Sequence, residues 1–368
     1  MTLHAKLAGM AALCLAWSAG ALAQAPKASP ERPSVNDAGA LTVPGFEADF
    51  SSFASDVARR SFIEEHSPAF YASPIARMHT LPIAEQRKIL DRDYLEPRIA
   101  KARAAFPVKI TPQTIGGVYT ETIEPAGGVA PHNKAKVLIN LHGGGFMMGA
   151  RTNGQLESIP VAGLGGYRVV AVDYRQAPEH RFPAGSEDVA TVYRDLLKSY
   201  KPENIGIFGC SAGGLLAAQA AAWFQKQGLP RPGAIGIFCA SAGDLGEGDS
   251  RYTGSVLNGR PAPPSGPARD MAANPYFAGV DMADPMVSPS RHPEVLAKFP
   301  PTLLISSTRD FAMSAALNTH RALIKAGAEA ELHLWDGLQH FFFADVDLPE
   351  SRDAFQVMVG FFDRRLGQ

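Results

Sequence analysis

The chain is poor in cysteine and carries almost no net charge. It has 3 cysteines in 368 residues, and 35 basic residues are balanced by 36 acidic ones, for a net charge of −1. Only Cys210 and Cys239 lie beyond the first 24 positions, which excludes a disulfide-rich scaffold, although these two could still pair. Because both charge signs are mixed along the chain, no basic surface is predicted. We therefore expect a small-molecule substrate and no nucleic-acid partner.

Long apolar runs are also scarce. One lies at the N-terminus, where residues 7–22 follow His4 and Lys6 and end in an Ala-Leu-Ala triplet at 21–23. A basic start, an apolar centre and an Ala-x-Ala end are typical of a secretory signal peptide. We predict that residues 1–23 are such a signal, with export to the periplasm or the medium and no stable membrane insertion after cleavage. An uncleaved anchor is the alternative.

Several sequence motifs of cofactor and metal proteins are missing. The chain has no HExxH motif, no CxxC pair and no glycine-rich dinucleotide fingerprint, so we expect neither a metal nor an organic cofactor. No internal repeat is apparent. A length of 368 residues with 46% hydrophobic content predicts one large, elaborated domain. The oligomeric state is left open.

What the chain does contain is a serine at the centre of a glycine-rich pentapeptide. Ser211 is flanked by Cys210 and Ala212, with Gly209 and Gly213 outside them. An apolar, strand-like run precedes the pentapeptide and an Ala- and Leu-rich run with helical spacing follows it. This pattern predicts a sharp strand-to-helix turn that exposes the serine hydroxyl as a nucleophile. Cys210 is less suited to that role, because the turn presents its central residue.

A second motif lies about seventy residues upstream, where His142 is followed by three glycines and Phe146. Consecutive glycines can bring backbone N–H groups close to a substrate carbonyl. We predict an oxyanion hole formed by the N–H groups of Gly144 and Gly145, with Ala212 as third donor and Gly143 as the alternative. We interpret His142 as a packed, hydrogen-bonded loop residue.

The residue that ends this motif, Phe146, is a candidate for the substrate-binding wall. Met147 and Met148 follow it and could also shape an acyl site. Ordinary packing is an equally good interpretation of apolar residues placed after a strand.

A serine nucleophile requires a histidine base and an acid that orients it. In a strand-turn-helix hydrolase these follow in the order serine, acid, histidine. Asp310 lies just past the strand-like run 302–306, and His340 lies in a loop after the strand-like segment 329–335. We therefore predict Asp310 as the acid and His340 as the base.

Other acids and histidines near the end of the chain compete for these roles. Asp336 and Asp345 are the alternative acids. His320 falls within a predicted helix and His333 within a predicted strand, where packed or surface histidines are common. Only Asp310 and His340 occupy loops after successive strands.

These motifs resemble the hormone-sensitive-lipase-like branch of the α/β-hydrolases, the bacterial family IV carboxylesterases with an HGGG motif. The resemblance covers roughly the last two-thirds of the chain. It includes the segment 173–184, which reads DYRQAPEHRFPA, and the segment 284–289, which reads DPMVSP. The chain departs from the family where Cys210 replaces the usual Asp before the serine, and where Phe311-Ala312 replaces the usual Pro-Leu after the acid.

The resemblance implies a serine carboxylesterase that acts on short-acyl esters through an acyl-enzyme. It assigns Ser211 as nucleophile, His340 as base, Asp310 as acid, Gly144, Gly145 and Ala212 as oxyanion donors, and 174–179 as scaffold. The alternatives are an amidase, peptidase or lactonase with the same triad, and a non-catalytic ligand-binding protein on the same fold.

The alternation of strand-like and helical runs predicts an α/β fold with a mostly parallel sheet and helices on both faces. The resemblance specifies the α/β-hydrolase fold with a helical N-terminal cap. We assign residues 24–106 to a linker and cap and 107–368 to the catalytic core, with 244–289 as a second cap segment or pocket wall. The helices predicted at 47–65 and 83–105 could instead simply cover a sheet face.

Overall fold

The computed structural model describes residues 34–37, 41–43, 45, 47–264, 266 and 270–367. The predicted signal peptide lies outside the described residues. The chain divides into two compact units, Met1–Asp49 and Phe50–Gln368. Within the predicted linker the first unit contains a short antiparallel pair that the sequence did not predict, β1 (Ser34–Val35) with β2 (Leu41–Thr42).

The second unit is built on an eight-stranded sheet. Its strands are β3 (Val108–Ile115), β4 (Val118–Pro125), β5 (Val137–Leu141), β6 (Val169–Val172), β7 (Ile205–Cys210), β8 (Ala234–Phe238), β9 (Thr302–Arg309) and β10 (Ala330–Gln339). In space they follow the order β10-β9-β8-β7-β5-β6-β4-β3. All pairs from β10 across to β6 are parallel, whereas β4 pairs antiparallel with both β6 and β3. The mostly parallel sheet is thus confirmed.

Helices cover both faces of this sheet. The described helices are α1 (Asp56–Glu65), α2 (Pro68–Ala72), α3 (Pro74–Arg77), α4 (Ile83–Leu90), α5 (Glu96–Ala105), α6 (Thr152–Gly165), α7 (Ala184–Leu196), α8 (Ala212–Lys226), α9 (Ser250–Leu257), α10 (Asp270–Ala273), α11 (Pro293–Leu296), α12 (Met313–Lys325) and α13 (Pro349–Arg365). On one face α6 packs against α13, and on the other α7 packs against α8. Among the described helices, none combines the length and the apolar character that a bilayer span requires.

The strand β5, at the centre of the sheet, is mostly apolar because both of its faces are covered. All five residues of β5 are buried. Leu138 belongs to the core shared with α6 and α13, and the next residue, Ile139, belongs to the core shared with α7 and α8. Since successive side chains of a strand point to opposite faces, a strand between two helical layers is expected to be apolar on both. The exception in β5 is Asn140, whose side chain donates to Glu157.

Two elements of the core were not predicted from the sequence. The strand β3 contains Pro112, which would break a hydrogen-bond ladder at the centre of a sheet, but β3 lies at the sheet edge, where proline is tolerated. The helix α6 contains Pro160 and several glycines, which obscure its helical pattern. Ten of its 14 residues are buried, so tertiary packing stabilises a helix that its own composition does not favour.

The helices before the core agree in position with those predicted, although the first begins at Asp56 rather than near residue 47. A single π-helical turn, Asp91–Leu95, joins α4 to α5. Since α5 packs against α6, it covers part of a sheet face. The assignment of these helices to a cap stays a prediction, and so does that of 244–289, where α9 packs against β9.

The side chain of Arg87 connects α4 to the core by hydrogen bonds. The guanidinium of Arg87 donates to both carboxylate oxygens of Glu179, at 2.7 and 2.8 Å. It also donates to the backbone oxygens of Met147 and Ala177, at 2.7 and 2.8 Å. The hydrogen bond from Arg87 lowers the pKa of Glu179 to about 2. Arg87 therefore joins the N-terminal helices to the loop that follows the three glycines.

We expect Arg87→Met to lower the free energy of unfolding by about 1–3 kcal/mol, since charge-assisted hydrogen bonds to the core are lost. Chymotrypsin should also cleave the 83–105 segment faster. The matched control is Lys88→Met, which removes a neighbouring charge that pairs with Glu85 in the same helix. Equal stability and equal cleavage in the two variants would contradict this role of Arg87.

Candidate active site

Ser211 occupies a strained turn between β7 and α8. Its backbone has φ 58° and ψ −123°, a region that non-glycine residues rarely adopt and that marks functional turns. The Ser211 N–H donates to the carbonyl of Phe238 at the end of β8, at 2.8 Å, and the Ser211 carbonyl accepts from Leu215 at 3.1 Å. The turn is therefore held from both sides, and the predicted strand-to-helix geometry is present.

The two glycines of the pentapeptide are required by close packing against β5. A Cβ added to Gly209 would lie 2.1 Å from the carbonyl oxygen of Leu141, and one added to Gly213 would lie 1.7 Å from the same atom. Both distances are far below any van der Waals contact. The end of β5 therefore approaches the serine turn as closely as backbone atoms allow.

The glycine loop follows directly from this end of β5. Gly144 and Gly145 have φ values of 110° and 64°, and a Cβ on Gly144 would lie 2.1 Å from the carbonyl oxygen of Met148. The N–H of Gly143 donates to Oε1 of Glu157 at 2.8 Å, so this group is already used. That hydrogen bond favours Gly144 and Gly145 over Gly143 as oxyanion donors. Ala212 is the first residue of α8, and its N–H has no intrahelical acceptor.

The predicted acid and base lie in direct contact. Nδ1 of His340 is 2.7 Å from Oδ1 of Asp310. Asp310 is buried, 1% exposed, and it also accepts from the N–H of Ala312 at 2.9 Å and from the hydroxyl of Ser306 at 2.9 Å. These hydrogen bonds fix the orientation of the carboxyl group. Because Nδ1 faces Asp310, Nε2 is the nitrogen left for proton transfer.

The competing acids and histidines are placed elsewhere. Asp336 lies within β10 and accepts from the hydroxyls of Ser51 and Thr308. Asp345 accepts from the N–H of Asp347. His320 lies in α12 and His333 in β10. The structure thus brings together Asp310 and His340 and not their rivals.

His142 is packed in the way that the sequence indicated. Its ring stacks on Tyr174 with centroids 4.3 Å apart, and its Nδ1 lies 2.7 Å from the carbonyl oxygen of Gly143. Burial lowers its pKa to about 4, so the ring is neutral at pH 7 and Nδ1–H donates. The Tyr174 hydroxyl donates to the His142 carbonyl at 2.7 Å, which agrees with the scaffold role implied for 174–179.

Phe146 is a packed aromatic residue. Its side chain is 3% exposed, stacks on Tyr276 at a centroid distance of 4.6 Å and contacts Phe277 edge-on at 5.1 Å. This placement agrees with the packing interpretation. A contact between Phe146 and substrate stays a prediction.

The two cysteines of the core are neighbours. Cys210 and Cys239 are buried free thiols, so the pairing considered from the sequence is not formed. Burial raises the pKa of both thiols. Within the described residues, Cys239, Asp310 and His340 form a set of possible metal ligands whose donor atoms lie within 4.8 Å of one another. The hydrogen bond between Asp310 and His340 uses two of these groups.

Glu157 is a site residue that sequence reasoning missed. Its carboxyl group is buried, 4% exposed, and lies between the glycine loop and the serine turn. Burial raises its pKa to about 8, so it is largely protonated at pH 7. The available signal was an acidic residue within an otherwise apolar run, but the helix that carries it, α6, was not predicted.

A small cavity of about 40 Å³ reaches His340 from the side of α1 and α5. Its lining includes Phe62, Tyr94 and Arg98 but neither Ser211 nor the glycine loop. The cavity therefore adjoins the base without containing the nucleophile.

We expect Gly213→Ala to destabilise the protein by more than about 3 kcal/mol, the range of severe core substitutions. The physical reason is the 1.7 Å approach of an added Cβ to the Leu141 oxygen, which only a shift of backbone can relieve. Urea denaturation measures the loss. The control is Gly127→Ala, where nothing lies within 4 Å of the new Cβ. Similar midpoints for the two variants would show that the turn tolerates a side chain.

Comparison with known proteins places this site in a family. Residues 138–344 match the family described as the alpha/beta hydrolase fold. The chain is 29% identical over 261 residues to an acetyl-hydrolase of Streptomyces hygroscopicus. The aligned region covers 69% of this chain and 83% of that protein.

Solved structures agree with this match. The crystal structure of an esterase superposes with a TM-score of 0.73 and 29% identity, covering 88% of this chain and 98% of the other. An esterase from the bacterial hormone-sensitive lipase family gives a TM-score of 0.71 at 25% identity, covering 85% and 100%. The chain belongs to the α/β-hydrolase family, in its hormone-sensitive-lipase-like branch.

Proposed function

We propose that the protein is a serine carboxylesterase that hydrolyses short-acyl esters through Ser211, His340 and Asp310. The observation that carries the proposal is the 2.7 Å contact between His340 and Asp310, beyond the ends of β10 and β9. Both strands belong to the same mostly parallel sheet as β7, which ends at Cys210, directly before Ser211. Catalytic groups of such sheets gather at the carboxyl ends of the strands.

The protein is a carboxylic ester hydrolase. Its relatives include an acetyl-hydrolase and several esterases, and the site has the parts that ester hydrolysis needs. The preference for short acyl chains is the finer proposal, and the name of the acetyl-hydrolase relative supports it.

In the proposed reaction, Nε2 of His340 accepts the proton of the Ser211 hydroxyl as Oγ attacks the ester carbonyl carbon. The C=O bond opens to an oxyanion, and the tetrahedral intermediate then expels the alcohol, which takes the proton from His340. Water then attacks the carbonyl carbon of the acyl-enzyme while His340 accepts its proton. The second tetrahedral intermediate expels Ser211 Oγ, which takes the proton back from His340, and the carboxylic acid is released. Asp310 holds the imidazole in the required tautomer and stabilises its protonated form.

The oxyanion is stabilised by the N–H groups of Gly144, Gly145 and Ala212. The N-terminal end of α8 adds its positive dipole at the same point. These donors act mainly on the transition state, because negative charge on the oxygen develops there and not in the bound ester.

We expect wild-type protein to hydrolyse p-nitrophenyl acetate and butyrate, with kcat/KM falling as the acyl chain lengthens. Ser211→Ala should lose at least about 10⁴-fold in kcat while its circular dichroism and thermal midpoint are retained, because removal of one triad member abolishes nucleophilic catalysis. Hydrolysis of these esters by a clean Ser211→Ala preparation would disprove the assignment of the nucleophile.

The same assay separates the alternatives that share the triad. Matched amide and lactone substrates are measured beside the esters. Turnover of an amide or a lactone without turnover of esters would favour an amidase or lactonase. A folded wild-type protein that turns over none of them would favour a ligand-binding protein.

We also propose that the protein is exported, which rests on the basic start, the apolar run 7–22 and the Ala-Leu-Ala triplet. We expect the mature protein recovered from the periplasm or medium to begin at Gln24, as intact-mass measurement would show. A chain that retains residues 1–23 in the membrane fraction would favour the uncleaved anchor instead.

A further inference from the structure

The glycine loop and the serine turn are joined by one buried acid. Oε1 of Glu157 accepts from the N–H of Gly143 at 2.8 Å. Oε2 accepts from the N–H of Cys210 at 3.2 Å and from the Asn140 side chain at 3.0 Å. Gly143 immediately precedes the predicted oxyanion donors, and Cys210 immediately precedes Ser211.

These three hydrogen bonds offset the cost of burying the acid. Removal of a carboxyl group from water is costly unless hydrogen bonds compensate. Both oxygens of Glu157 are used, and each of the two backbone N–H groups would be left buried without a partner if the side chain were apolar. Such a group costs more when left unpaired than it contributes when paired.

We infer that Glu157 is a positioning residue, which sets the distance between the oxyanion donors of the glycine loop and the nucleophile Ser211. This inference rests on the proposed function of that site. The carboxyl group of Glu157 contacts both the glycine loop and the serine turn. A shorter side chain, or one with other hydrogen bonds, is therefore expected to move the loop relative to Ser211. The effect falls on kcat rather than KM, because the negative charge on the oxygen is absent from the bound ester and develops in the transition state that leads to the tetrahedral intermediate.

The charge of Glu157 also matters to the oxyanion. Its raised pKa of about 8 keeps the group neutral at pH 7, and its ionisation above pH 8 places a negative charge behind the donors. The titratable groups that face it are the thiols of Cys210 and Cys239 and the phenol of Tyr174. Asp310 faces the two thiols from the end of β9, and Asp91 faces His142 from the turn before α5.

The test compares Glu157→Leu and Glu157→Gln with wild-type protein. We expect Glu157→Leu to lose roughly 10²-fold in kcat, comparable to the loss of an oxyanion donor, with KM within about twofold. Glu157→Gln should stay within about tenfold of wild type, because its oxygen still accepts from one backbone N–H and only one such bond is lost. It should also lack the fall in kcat above about pH 8 that we expect of the wild-type protein.

The matched control is Glu121→Leu. Glu121 is another buried acid, 6% exposed, and it accepts from the hydroxyl of Tyr119 and the side chain of Gln155 rather than from the site. Hydrogen–deuterium exchange of peptides that contain 143–145 and 209–213 gives a readout that does not need turnover. Exchange there should be faster in Glu157→Leu than in Glu121→Leu.

Equal kcat and equal exchange in Glu157→Leu and Glu121→Leu would overturn the inference while leaving the esterase proposal intact. If Glu157→Leu does not fold, the test rests on Glu157→Gln. The inference is overturned if this variant shows the same fall in kcat above about pH 8 as the wild-type protein and the same hydrogen exchange in the two peptides. If wild-type protein hydrolyses no substrate, the proposed function fails. The exchange of the two peptides then still decides whether Glu157 holds the two segments together.

Discussion

The close approach of β5 to the serine turn is the constraint on which the site depends. The carbonyl oxygen of Leu141 lies where a side chain on Gly209 or Gly213 would have to be. Since Leu141 ends β5 and the glycine loop begins at the next residues, this contact places the loop beside Ser211. The glycines are therefore a packing requirement first, and the catalytic geometry follows from the packing.

Two buried ionisable side chains near this contact are largely neutral at pH 7. Burial lowers the pKa of His142 to about 4 and raises that of Glu157 to about 8, so neither carries much charge at pH 7. Asp310 is held in a different way, because it accepts hydrogen bonds from three donors. These bonds fix the direction in which its carboxyl group meets His340.

The hydrogen bonding behind the nucleophile comes from a distant element. Cys210, directly before the serine, is buried. Its backbone N–H donates to Glu157, which lies in α6. This contact therefore could not be inferred from the pentapeptide alone.

The sequence by itself determined the sheet, the serine turn and the pairing of Asp310 with His340, because each rests on local pattern and on the order of strands. Apolar runs of five or six residues indicate buried strands. A motif that directly follows such a run is expected to lie at the carboxyl ends of the parallel strands. Only the tertiary structure decided the helix α6, the strand β3 and the role of Glu157. Both secondary-structure elements depend on neighbours that are distant in sequence. Burial stabilises α6 despite its proline and glycines, and β3 tolerates its proline because it lies at the edge of the sheet. Contacts such as Glu157 to Cys210 join residues 53 positions apart, and no local pattern encodes that distance.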